Sequence, residues 1–138
     1  MPAGAPDEPY ATGWSLYFAA QERRTEQVIR KSIDDGFGGT ELASILTAHR
    51  VRSVAVCGVL SEMCVSATAR SAMNLGWDVV LAHDAHATYD IPAAPGLAGS
   101  VPHTVVSRVA EWALGDNIAV TPRAADVEFE TTLTNRVP

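Results

Sequence analysis

Cysteine is scarce in this chain: only Cys57 and Cys64 occur in 138 residues. Seven positions apart, they form neither a CxxC redox pair nor a zinc knuckle. Two isolated thiols suit a reducing, cytoplasmic setting. Long apolar runs are missing as well. Nothing approaches the ~20 residues of a membrane span, and the opening, Met1 to Pro9, has neither the basic head nor the apolar stretch of a signal peptide. Basic residues are outnumbered, 10 Lys and Arg against 16 Asp and Glu. A net charge of -6 with scattered cations leaves no footprint for nucleic acid or an anionic membrane. The four histidines form no ligand set, because His83 and His86 have no third ligand at useful spacing, so no metal is expected. Gly36-Phe37-Gly38-Gly39-Thr40 lacks both the GxGxxG spacing and the Gly-Lys-Ser/Thr ending of a phosphate loop, and no other cofactor signature is present.

What is present is one domain's worth of alternating pattern, with residues 1–25 as an irregular lead, 26–122 as the core and 123–138 as a tail. Glu26 to Lys31 reads as a short strand around Val28 and Ile29. Thr40 is placed to cap a helix whose stripe is Leu42, Ile45, Leu46 and His49. Val51 to Val59 is a valine-rich buried strand, with Cys57 in its core. Ser61 to Leu75 is the next helix, stopped by Gly76. Asp78 to Ala82 is another buried strand, followed by a long loop over His83 to Ser100. Val101, Val105, Val109 and Trp112 mark the apolar stripe of a third helix, closed by Gly115, and Asn117 to Thr121 a last strand. Strands alternating with helices predict a three-layer α/β/α fold with a mainly parallel, Rossmann-like sheet. Right-handed crossovers then bring the C-terminal strand ends to one edge, where ligands bind. Lys31 ends the first strand and Cys64 follows the second, one βαβ repeat later, so the two are expected to be neighbours.

Cys64 carries the chemistry. A glycine-ended strand turns tightly into a helix; with Ser61 as N-cap, the thiol falls at N3. The open N–H groups and the positive dipole end favour thiolate there, and an adjacent ammonium adds to them. The alternative is a small buried hydrophobe, the usual role of a free cysteine. Lys31 is either a solvated surface charge or the partner of that thiol. Phe37 is either a pocket wall or core. His83 and His86 either touch a ligand at the sheet edge or satisfy a loop. Trp77 and Trp112 pack on the sheet or on a subunit interface.

Three runs resemble the isochorismatase-like hydrolases, in family order and at family spacing. Lys31-Ser-Ile-Asp-Asp-Gly-Phe37-Gly-Gly-Thr40 resembles their lysine loop, and Gly58-Val-Leu-Ser-Glu-Met-Cys64-Val65 with Thr68-Ala69 their cysteine elbow. Val79-Val-Leu-Ala-His-Asp-Ala85 with Thr88 resembles the strand and Asp-Ala loop that follow. The resemblance implies a cofactor-free hydrolase in which the Cys64 thiolate attacks a carbonyl, Lys31 stabilises charge and an aspartate shuttles the proton. It further implies a cis Val59–Leu60 bond, an oxyanion hole from the backbone N–H groups of Leu60 and Cys64, a pocket near Phe37, Ser61 and His86, a small-molecule substrate and homo-oligomers. Relatives that cleave a vinyl ether do not need the thiol, so Cys64 points to amides or related C–N bonds.

In that family the acid ends a strand upstream of the lysine, and nothing upstream of Lys31 fits: Asp7 precedes no strand, while Asp34 and Asp35 belong to the loop after the lysine. The expectation is an N-terminally shortened chain that has lost its first strands and leaves open sheet edges and uncovered apolar faces. The alternative is a catalytically impaired or non-enzymatic relative serving as an oligomeric or binding module.

Overall fold

The computed structural model describes residues 16, 18–21 and 26–130; Asp7, Trp14, Tyr17 and residues 131–138 lie outside them. The chain divides into two units, residues 1–30 and 31–138. The described residues of the first carry neither helix nor strand. The strand expected over Glu26 to Lys31 is therefore absent, and Val28 is exposed. A strand exists by pairing, and this segment finds no ladder partner among the described residues.

The second unit opens with the lysine loop and α1 (Leu42–Ala48). Glu41, not Thr40, takes the N-cap position, but the Leu42 N–H still reaches Thr40 Oγ1 at 3.3 Å. Three parallel strands follow, β1 (Ser53–Val59), β2 (Asp78–Ala87) and β3 (Ala119–Thr121), in the order β1-β2-β3. Between β1 and β2 run a five-residue π-helical turn (Ser61–Val65) and α2 (Ser66–Asn74); α3 (His103–Ala113) leads to β3. A 3-10 turn, Ala124–Asp126, comes last. No helix of the described residues is long and apolar enough to cross a membrane.

The core joins Val65, Ala69 and Ala72 to Val79 and Leu81 of β2 and to Leu114 and Ile118, with Val54 and Val56 against it. Alanines at 69 and 72 let α2 sit close to the sheet, where larger side chains would hold it off. Four readings of the sequence are corrected here. β1 is not buried on both faces: Val54 and Val56 point inward, whereas Ala55 and Cys57 are exposed. The cause is position, since β1 is the sheet's outer strand and a strand's composition does not reveal whether anything lies beside it. β2 does not stop at Ala82 but continues to Ala87, pairing Gly58 with His86 and Val59 with Ala87. On α3 the buried face is Val106, Ser107, Ala110 and Glu111, while Val105, Val109 and Trp112 are exposed. This helix carries two apolar stripes, and periodicity alone selected the wrong one. Finally, Ser61 is not the N-cap of a regular helix: Leu60 is, with extended backbone, and the first turn is wound wider, Val65 N–H bonding to Leu60 O at 3.2 Å.

Candidate active site

The lysine loop is tied to α2 by its own backbone. Gly36 N–H donates to Thr68 Oγ1 at 2.9 Å, and Thr40 Oγ1 donates to Gly36 O at 2.6 Å. Asp35 accepts from Phe37 N–H at 2.9 Å and from Ser71 Oγ at 2.7 Å. A Cβ on Gly36 would lie 3.1 Å from Thr68 Oγ1, so a larger residue would press on this contact. Phe37 stacks on Trp77 with ring centroids 5.4 Å apart and packs against the core, and the Trp77 indole N–H donates to Val51 O at 2.9 Å.

This docking delivers Lys31 to the elbow. Its Nζ lies 3.3 Å from Cys64 Sγ and donates to Ile33 O at 2.9 Å. Cys64 is half-buried. The peptide bond Val59–Leu60 is cis. A third group, set aside in the sequence as mere loop, completes the arrangement: Asp34 Oδ1 lies 3.6 Å from Sγ, within hydrogen-bonding reach of the thiol. The only signal for it was its place three residues after the lysine. Beside the elbow, Thr88 Oγ1 donates to Glu62 Oε1 at 2.9 Å, tying the turn to the segment after β2.

Ser61 and His86, expected near the pocket, are both buried and bonded to each other, Oγ to Nδ1 at 2.8 Å. Ser61 Oγ also meets Ser107 Oγ at 3.0 Å. His86 Nε2 reaches Glu111 Oε1 at 3.0 Å, as does His83 Nδ1 at 2.5 Å. Burial pushes the Glu111 carboxyl up, but the bonds from His83 and His86 outweigh it and hold it below its ordinary 4.5. A chain of polar contacts thus runs from the start of the elbow through β2 to α3. Beyond it opens a cavity of about 800 Å³ lined by His83, Arg108, Glu111, Trp112, Asp116 and Thr121; neither Cys64 nor Lys31 lines it.

Comparison with known proteins agrees with this architecture. The isochorismatase domain matches residues 2–94. Streptothricin hydrolase of Streptomyces noursei is 56% identical over 126 residues, covering 91% of this chain and 46% of that protein. The secreted isochorismatase effector Isc1 of Verticillium dahliae is 35% identical over 92 residues, covering 66% of this chain and 48% of its own. Among solved structures, an isochorismatase from Pseudomonas putida superposes with a TM-score of 0.66 at 30% identity, over 75% of this chain and 53% of that one. A cysteine hydrolase from Pseudomonas syringae superposes with a TM-score of 0.64 at 27% identity, over 70% and 45%. The chain spans about half the length of the curated relatives it matches. On the strength of the domain match and the shared fold, the chain belongs to the isochorismatase family of hydrolases.

Proposed function

We propose that this chain carries the nucleophile of a cysteine hydrolase acting on a small amide or related C–N bond. The observation that carries the reading is the 3.3 Å contact between Lys31 Nζ and Cys64 Sγ. An ammonium at that distance attracts the negative charge that sulfur carries as nucleophile and leaving group. Asp34, 3.6 Å from Sγ, is placed to take the thiol proton. The thiolate then attacks the carbonyl carbon, forming a C–S bond and an oxyanion held by the backbone N–H groups of Leu60 and Cys64. Collapse breaks the C–N bond; the amine leaves with the proton, and water hydrolyses the thioester to the acid and the free thiol. No cofactor takes part in these steps. Similarity to a protein named streptothricin hydrolase supports a hydrolytic role. Two free thiols fit a reducing, cytoplasmic compartment.

The test is turnover of an amide panel by the chain and by Cys64→Ser. Amine release by the parent that disappears in the variant is expected; turnover that survives the substitution overturns the reading. The second reading, a non-catalytic module that associates with copies of itself, draws on the exposed Val105, Val109 and Trp112 and on the outer edge of β1, which pairs with nothing among the described residues. It predicts no turnover of any amide and a mass in solution that falls on Trp112→Glu.

A further inference from the structure

His83, His86 and Glu111 converge although nothing in their spacing says they should. His83 and His86 are three apart on one strand, and in regular β backbone such residues face opposite sides. Here the pairing between β1 and β2 slips: two steps along β1, Val56 to Gly58, are matched by five along β2, Leu81 to His86. The extra residues bulge and bring both imidazoles to the same carboxylate. Glu111 comes from α3, 25 residues after His86. The three ligand atoms lie within 4.8 Å of one another.

The surroundings are those of an oriented site. The His86 side chain is 0% and that of Glu111 2% exposed, whereas His83 is 50% exposed and faces the cavity beside α3. Arg108 holds the other Glu111 oxygen, Oε2, at 3.2 Å, leaving Oε1 to face both imidazoles. His86 Nδ1 is fixed by Ser61 Oγ, which is backed by Ser107 Oγ. A serine hydroxyl serves as donor or acceptor by rotating. The pair can therefore accept the Nδ1 proton and free Nε2 for a metal, the outer-shell arrangement that orients a histidine ligand.

We infer that His83 Nδ1, His86 Nε2 and Glu111 Oε1 bind a divalent transition metal of the zinc class, clasping the β2 bulge to α3. Two imidazoles and one carboxylate are a zinc-type donor set, and the open cavity at His83 leaves room for water in the fourth position. Tetrahedral zinc ligands stand roughly 3.4 Å apart, so the two His–Glu contacts need widen by less than about 1 Å. The clasp is independent of the thiol chemistry.

The experiment is Zn²⁺ titration by calorimetry of chelator-dialysed protein carrying Cys57→Ser and Cys64→Ser, which removes competing thiolates. One saturable equivalent is expected, with Co²⁺ in its place giving the visible absorption of a low-coordinate N/O site. His83→Ala, at a half-exposed position, should weaken binding at least about tenfold and abolish the zinc-dependent rise in Tm. Glu111→Gln, near-isosteric, should do the same. Absence of saturable binding, or unchanged affinity in His83→Ala, overturns the inference.

Discussion

Replacing Ser61 by alanine removes one oxygen from a deeply buried polar site, and the cost follows from what that oxygen holds. Ser61 is 1% exposed, and its hydroxyl is bonded to His86 Nδ1 at 2.8 Å and Ser107 Oγ at 3.0 Å. The variant leaves an imidazole nitrogen and a hydroxyl buried without that partner, at about 1–3 kcal/mol for each group left unsatisfied. With allowance for relaxation, a loss of about 2–4 kcal/mol is expected, a large share of the roughly 5–15 kcal/mol that holds a domain together. For a denaturant slope of about 2 kcal/mol per molar urea, the unfolding midpoint should fall by roughly 1–2 M. Ser107→Ala breaks only one of the two contacts and should cost less. The double variant should cost less than the sum, because the hydroxyls share a bond. The assay is urea unfolding followed by circular dichroism in chelator-treated buffer. A Ser61→Ala midpoint within about 0.2 M of the parent, or strict additivity with Ser107→Ala, would refute the claim that this network anchors the elbow.

Lys31→Met should slow alkylation of Cys64 roughly fivefold, since an exposed ion pair at this separation is worth about 1 kcal/mol, and high salt should shrink the difference; stopped-time labelling followed by peptide mass spectrometry measures it. Leu81→Ala, at a side chain only 1% exposed in the core, should cost about 2–5 kcal/mol in urea unfolding without abolishing Cys64 labelling. Asp90 Oδ1 accepts from His103 N–H at 2.7 Å at the start of α3 and from its ring at 2.8 Å; the backbone bond, then the ring, lower its carboxyl below the ordinary 3.8. A depressed folded value means that its stabilisation is present above about 3.8 and is lost as pH falls through the lower folded value, so Asp90→Asn should flatten the acid limb of the stability profile in that window.

What the sequence disclosed and what it withheld divide along physical lines. Local periodicity and turn chemistry placed α1, the body of α2, β1, β3 and the start of β2 within a few residues, because those patterns belong to the segment itself. The Lys31–Cys64 contact was expected from one parallel βαβ step, but the structure reaches it by another route: no strand ends at Lys31, and docking of its loop on Thr68 and Ser71 brings the lysine to the elbow. Whatever depends on a neighbour was out of reach. Cys57 reads as core from its valines, yet lies exposed on the outer strand. Val28 and Ile29 have β propensity but no ladder partner among the described residues. The polar stretch His83 to Ala87 looks like loop but is held in the sheet by pairing with β1. Glu111 drew no reading from the sequence; it is buried on α3 where the β2 irregularity brings two histidines to its carboxylate. Asp34 joined the site because Gly36 and Asp35 dock the loop on Thr68 and Ser71.

The most direct measurement is a competition between the two thiols: iodoacetamide labelling of native protein near neutral pH, with the extent at each cysteine read over time by peptide mass spectrometry. Accessibility alone favours Cys57, which is exposed, over the half-buried Cys64. An activated sulfur beside Lys31 predicts the reverse, with Cys64 modified many times faster; labelling of Cys57 at an equal or higher rate would contradict it.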